Sequence, residues 1–303
     1  MANNALFEQE KKNRGKAPAS YVSSSSNSSS TESDFSSSDD ENAPTVRRTL
    51  PPSAKARYLA AKGIIDFAPI ADVLATSSSK LLDFACGDGA LSRHLAPNVD
   101  QIIGIDIDKA AVANYNLRAK NQGLEQNELF AFTCDISKED EVKSVSELTG
   151  LVDVIASALS FHHLADISAA CKTLAANFLK PGGWIAVVDL LKNSDTQDIF
   201  SAMKSVNKAH DSTDSHSHDH VHHTGGVSAL DLKLAFDNAG LASVFIFEYA
   251  FEVSVLVPAI LIPDRLHQAR EGSSTVDAFD RNSKVEVQMP FVLAVGRKPI
   301  LQR

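Results

Sequence analysis

Asp83 lies inside an otherwise apolar run, LLDFACGDGALSRHL at 81–95, and an acid among strand-forming hydrophobics needs a compensating partner. Two glycines, Gly87 and Gly89, follow it in a turn that precedes helix-like spacing. Glycines there let the main chain take positive φ and come close to a ligand. The first unpaired N–H groups of a helix opening at Ala90 point at the same spot. A second acid, Asp106, ends the next apolar run, QIIGID, 23 positions beyond Asp83. Its two oxygens suit a pair of ribose hydroxyls, the task of an acid about 20 residues past a glycine loop. Asp135 ends a third run, LFAFTCD, and the pair His162 and His163 follows a fourth, LVDVIASAL.

Something must bring these residues to one edge. Short apolar runs alternate with helical stretches from Ser53 onward, and a fifth run, GGWIAVVDL, closes the series. GALSRHLA, KAAVANYNLRAKNQG and DISAACKTLAANFL fall between the runs with helical spacing. Strands apolar on both faces and separated by helices indicate a parallel sheet wound by right-handed crossovers. SAKARYLAAKGIIDFAPIADVLA, before the first strand, reads as a helical segment broken near Pro69. SALDLKLAFDNAGL is a further helix, with Ser228 and Asp231 as a capping pair and Gly240 as its stop. SVFIFEYAFEV and VEVQMPFVLAVGRK then pair without a helix between them. The expected fold is α/β: a Rossmann-like, doubly wound, mostly parallel sheet of seven strands with a terminal antiparallel strand.

Bulk properties narrow the setting. The formal charge is −9 and no Lys/Arg-rich block occurs, which disfavours a general nucleic-acid or anionic-membrane surface. Cys86, Cys134 and Cys171 are odd in number, far apart and without CxxC spacing, as in a reducing compartment. No stretch approaches the roughly 20 apolar residues of a membrane span. The N-terminus lacks the apolar core of a signal peptide, and Glu8 and Glu10 do not suit a transit peptide. A soluble cytoplasmic protein is expected, with the nucleus as the alternative compartment. Most residues from Ser20 to Ser38 are serine and SDDEN follows, so 1–50 is expected to be a disordered tail and 51–303 the folded domain. The tail is either a solubilising leader or a regulatory arm whose serines beside acids suit acid-directed kinases.

A dinucleotide competes for the glycine turn. Its G-x-G-x-x-G pattern wants a third glycine where Ser92 stands, and a pyrophosphate gains nothing from Asp83 or Asp88 nearby. A nucleoside with a cationic amino-acid tail uses the acids and glycines together. Here the chain resembles the class I S-adenosylmethionine-dependent methyltransferases of small-molecule type, from about residue 80 to 190. LLDFACGDGALS resembles the family's first motif, GIDID its ribose-binding acid, and TCDIS the motif whose acid meets the adenine amino group. VDVIASALSFHHL resembles the fourth-strand motif and LKPGGWIAVVDL the fifth-strand one. The resemblance implies that S-adenosyl-L-methionine is the cofactor. It assigns Asp83, Ala85, Cys86, Gly87 and Gly89 to the methionine moiety, Asp106 to the ribose, and Ile107 and Asp135 to the adenine, with Ile136 and Ser157 in the same motifs. Ala85 departs from the pattern, because many members carry their first glycine there.

The histidines are the candidates for chemistry on the acceptor. Methyl transfer from a sulfonium is an in-line displacement in which positioning supplies much of the rate. A base matters when the acceptor is a protonated hydroxyl, thiol or acidic carbon, and histidine suits that range. His162 and His163 stand where an acceptor meets the donor methyl; otherwise they are capping and packing residues. The N/D-P-P-Y/F motif of many amide and exocyclic-amine methylases is absent. His223, in HHTGGV, resembles a substrate-side position of related enzymes. The histidine-rich stretch 210–226 reads as a solvated loop with adventitious metal affinity, and no metal site is assigned. The connection 254–289 is longer than a hairpin needs: with the 53–75 helices it forms either a cover over the acceptor or an excursion on the sheet edge. The expectation is methyl transfer to a small-molecule acceptor. A protein methyltransferase, a non-catalytic donor-binding adaptor and a nicotinamide-dependent oxidoreductase are the rivals.

Overall fold

The computed structural model describes residues 51–210, 222–258 and 284–300. The serine-rich tail, His216, His218 and His220, and the middle of the long C-terminal connection lie outside the described residues. The chain enters through helix α1 (Pro52–Asp66), opened by Pro52 in its first turn, and α2 (Ala68–Leu74). The break falls at Phe67, whose extended backbone precedes Ala68 and Pro69. That is the interruption expected from the proline, which has no N–H for the Ile65 carbonyl and whose ring would clash with it in a continuous helix.

Seven strands form one sheet: β1 (Lys80–Phe84), β2 (Gln101–Asp106), β3 (Leu129–Thr133), β4 (Val152–Ala158), β5 (Leu179–Leu190), β6 (Ala242–Pro258) and β7 (Lys284–Arg297). Their order is β3-β2-β1-β4-β5-β7-β6. The first five pair in parallel, and the chain-terminal β7 runs antiparallel between β5 and β6. Helices α3 (Ala90–Leu95), α4 (Lys109–Asn121), α5 (Glu139–Thr149), α6 (Ile167–Asn177), α7 (Ser194–His210) and α8 (Ala229–Asn238) complete the chain. Ser228 caps α8 by accepting from the Asp231 N–H, as its spacing predicts.

Strand alternation divides the core into two layers. Leu81, Ile102, Val154, Ala156, Ala186 and Val188 face a layer closed by α1, α2, α3 and α4. Leu82, Phe84, Ile103, Ile105, Ile155, Ile185 and Val187 face the opposite layer, under α5, α6 and α8. Period-two alternation puts neighbours on opposite faces, so a strand apolar throughout is buried from both sides. Ala56, Ala60, Ala61, Ile64, Ile70 and Leu74 belong to the first layer, so α1 and α2 are core elements as well as a candidate cover. Among the described residues no helix is long and apolar enough to cross a membrane.

Two boundaries differ from the sequence reading. The KPGG segment lies within β5: Val152 pairs with Leu179 and Val154 with Trp184, so Lys180–Gly183 bulges out between two paired residues. The long connection is also shorter than expected, because β6 continues to Pro258 and β7 begins at Lys284. Pairing of Val255 with Val287 and of Val257 with Val285 extends the ribbon beyond the sheet body. Alternating valines on both strands account for that extension.

Candidate active site

The strand order reverses between β1 and β4, and the candidate residues sit at the carboxyl ends around that point, where ligands bind in doubly wound sheets. Ala85 leaves β1 with φ 55° and Gly87 and Gly89 take 52° and 84°, so the turn is left-handed at three of five positions. Each glycine has its own reason. A Cβ on Gly89 would stand 2.8 Å from the Tyr115 ring, whereas a Cβ on Gly87 would meet nothing within 4 Å. Gly89 is therefore fixed by packing, and Gly87 by its backbone and the open space beside it. Ala85 does with a methyl group what glycine does freely; left-handed backbone costs an L-residue about 1–2 kcal/mol.

Asp106 ties β2 to this turn. Its Oδ2 accepts from the Gly87 N–H at 2.7 Å and its Oδ1 from the Asp108 N–H at 2.9 Å. Each oxygen keeps a lone-pair direction for a further donor such as a hydroxyl. Asp108, rather than Asp106, caps α4 by accepting from the Ala110 N–H. Ile107 is 67% exposed beside it, an apolar side chain facing outward at the same edge. Asp88 pairs with Arg118 of α4, holding the turn from the other side.

Asp83 is 1% exposed, beneath the turn. The Ser92 hydroxyl donates to its Oδ2 at 2.6 Å and accepts from the Tyr115 hydroxyl at 2.9 Å. Ser92, which breaks the dinucleotide pattern, is thus the partner of the buried acid. Burial pushes the Asp83 carboxyl up to about 7, against the opposing hydrogen bond from Ser92. Cys86 is buried against Gly104, and burial pushes its thiol well above the ordinary range, so it is no nucleophile at neutral pH. Asp135 follows β3 and accepts at Oδ1 from the Ser137 N–H and hydroxyl, which with nearby Lys138 hold its carboxyl low. That is the turn-forming arrangement that a post-strand acid commonly adopts. Ile136 packs against the α5 side of the core.

Across the reversal point, the Ser157 hydroxyl donates to the Phe84 carbonyl at 2.9 Å, and Ser160 stands 2.6 Å from it. Leu159 follows with φ 61°, and the turn Phe161–His163 begins with Phe161 edge-on to Phe84. His162 is bonded to Asp189 of β5, while His163 is exposed with its ring 4.1 Å from that of His162. The His223 N–H donates to the His162 carbonyl at 3.0 Å, bringing the 222–227 segment to the same turn. Asp189, Ser92 and Tyr115 are the residues that sequence reasoning missed. Asp189 carries the same signal as Asp83, an acid inside an apolar strand run. Among the described residues no three His, Cys, Asp or Glu side chains are grouped to hold a metal ion.

A nucleoside with a cationic tail fits this edge: an open space at Gly87, an acid with spare lone pairs at Asp106 and an exposed apolar residue next to it. The sheet order and this edge together define a class I S-adenosylmethionine-dependent methyltransferase, with S-adenosyl-L-methionine as its cofactor. A family model described as a methyltransferase domain matches residues 53–244, and the chain belongs to that family. It is 25% identical over 260 residues to an uncharacterized methyltransferase of Schizosaccharomyces pombe, covering 86% of each chain. It is 30% identical over 120 residues to a ubiquinone biosynthesis O-methyltransferase of Burkholderia multivorans, covering 39% of this chain and 47% of that one. The fold is similar to that of the YcgJ protein of a Bacillus species, with a TM-score of 0.54 at 17% identity over 81% of this chain and 98% of that one.

Proposed function

We propose that the protein transfers the methyl group of S-adenosyl-L-methionine to a small-molecule acceptor. The donor supplies a sulfonium methyl group; the chain's part is to bind it, orient the acceptor and exclude water. In this reading the Ala85–Gly89 turn, with Cys86 contributing backbone, takes the methionine moiety over the open face of Gly87. Asp83 supplies a buried negative charge below it. Asp106 accepts from the ribose hydroxyls, Ile107 and Ile136 flank the adenine, and Asp135 and Ser157 complete the edge. His162, His163 and His223 face the acceptor. Partial likeness to an O-methyltransferase of ubiquinone biosynthesis supports a small acceptor. The reading also keeps the protein soluble in the cytoplasm, with 51–303 as its catalytic domain.

One observation carries the proposal: the Asp106 carboxylate is held beside the glycine turn, Oδ2 by the Gly87 N–H and Oδ1 by the Asp108 N–H, on the strand next to the reversal point of the sheet. Calorimetry of Asp106→Ala with S-adenosylmethionine tests it. Losing two charge-assisted ribose hydrogen bonds is expected to weaken binding by about 2–4 kcal/mol, some 30-fold or more. Unchanged affinity in a folded variant would remove the donor from this edge.

A further inference from the structure

Asp189 is fully buried near the carboxyl end of β5, with 0% exposure. Its Oδ1 accepts from the Leu190 N–H at 2.7 Å, and its Oδ2 from the His162 N–H at 3.1 Å. The same Oδ1 lies 2.7 Å from Nδ1 of the His162 ring. A carboxylate facing two backbone donors is an acceptor only, so the proton in the third contact belongs to His162 Nδ1. In the neutral ring this leaves Nε2 as a bare lone pair, on a side chain that is 13% exposed. Two backbone bonds and full burial fix Asp189, and Asp189 fixes the ring. His163, the next residue in the turn, is exposed.

The dyad stands one strand from the donor edge. Phe161, in the same turn, packs edge-on against Phe84 of β1, immediately before the glycine turn. A second orphan group converges there. Nε2 of His223 is buried without a hydrogen-bond partner among the described residues, on the segment whose N–H is bonded to the His162 carbonyl. A buried unsatisfied nitrogen costs about 1–3 kcal/mol and points to a partner that arrives from outside the fold.

We propose that His162 is the general base of methyl transfer, that Asp189 is its positioning residue, and that the acceptor is therefore a group that loses a proton as it is methylated: a hydroxyl, a thiol or an acidic carbon. This rests on the methyl-transfer reading above and narrows it. An uncharged amine attacks with its lone pair and sheds its proton afterwards, so it has no need of a base aimed at it. A hydroxyl, thiol or acidic carbon does. Its oxygen, sulfur or carbon bonds to the methyl carbon as the carbon–sulfur bond of the donor breaks, the bonding pair stays on the donor sulfur, and the acceptor proton ends on His162 Nε2. Asp189 from β5 is bonded to the His162 ring, the His163 ring lies 4.1 Å from it, and the 222–227 segment adjoins the turn through the His223 N–H on the His162 carbonyl. His223 Nε2 then bonds a second polar atom of the acceptor.

The test begins without turnover. In the full-length protein labelled with nitrogen-15 histidine, long-range proton–nitrogen correlation is expected to show His162 protonated at Nδ1 and bare at Nε2 near neutral pH. The Nε2–H form would overturn the dyad. The protein is then incubated with S-adenosylmethionine carrying a carbon-13 methyl and a small-molecule cell extract, and the labelled products are sorted by methyl shift. O-methyl, S-methyl or C-methyl products are expected; N-methyl products alone would overturn the inference while leaving methyl transfer standing. Failure of S-adenosylmethionine to bind the wild-type chain would instead sink the reading beneath it.

With the labelled fraction as acceptor, His162→Gln is expected to lower kcat by about 10²–10⁴ with donor affinity retained, and to abolish the acidic limb of the pH–rate profile. Asp189→Asn is expected to keep that limb but move it to lower pH, a shift that loss of mere packing would not produce. Wild-type kcat in His162→Gln, or an unmoved limb in Asp189→Asn, would refute the roles.

Discussion

Replacing Asp83 with asparagine should stabilise the protein and impair it, and the two effects should grow together as pH rises. The amide oxygen can still accept from Ser92 Oγ, so the hydrogen-bond chain to Tyr115 survives and the burial penalty on a charge disappears. The wild-type carboxyl has its pKa pushed by burial from the ordinary 3.8 to about 7. The folded state thus holds a proton that the unfolded chain releases near 3.8, and stability falls as pH rises between those values and levels off above. The full gap corresponds to about 4 kcal/mol, and the part lying between pH 5 and pH 8 to about 2–3 kcal/mol. Asparagine has no such proton. Urea unfolding of both proteins at pH 5 and pH 8 should show the variant's advantage increasing by about 2–3 kcal/mol between the two. Donor affinity should change in the opposite sense. A cation arriving at the turn favours ionised Asp83, so wild-type binding of S-adenosylmethionine should strengthen from pH 5 to pH 8 and release a proton near pH 6, while the variant does neither. An advantage independent of pH would show that Asp83 does not titrate in this window, and the argument from its burial would fail.

Gly87 and Gly89, two residues apart in the same turn, should respond differently. Gly87→Ala should cost about 1–2 kcal/mol in thermal or urea unfolding, from its left-handed φ alone, and weaken donor binding because the new methyl enters open space. Gly89→Ala adds a clash with the Tyr115 ring and should destabilise by a further 1–3 kcal/mol, roughly, in the same assay. Ala85→Gly should leave stability within about 1 kcal/mol of wild type, since relief of its left-handed strain is offset by the added freedom of the unfolded chain.

Much of this arrangement is legible in the sequence. The apolar runs and helical spacings give five β/α units and a final strand pair, because strands buried on both faces and amphipathic helices carry distinct periods. The acid ending β2, the acid following β3 and the glycines after β1 mark the candidate edge for the same local reason: each is out of place in its surroundings unless a backbone or ligand needs it. Asp189 was equally visible as an acid in an apolar strand, yet its partner His162 lies 27 positions away and no local pattern joins them. Ser92 spoke against a dinucleotide as a missing glycine, but that its hydroxyl reaches Asp83 and Tyr115 was not legible locally.

The sequence alone determined the class of fold, the order of its elements and the residue types available to bind a charged nucleoside, all of which follow from short-range periodicity and composition. Tertiary structure decided the pairings. Which acid is buried beneath the turn and which lies open beside it, which carboxylate fixes the His162 ring, and which glycine is kept by space and which by packing depend on strand order. Hydrogen bonds and steric contacts act over a few ångströms, and residues far apart in the chain come within that range only when the sheet is assembled.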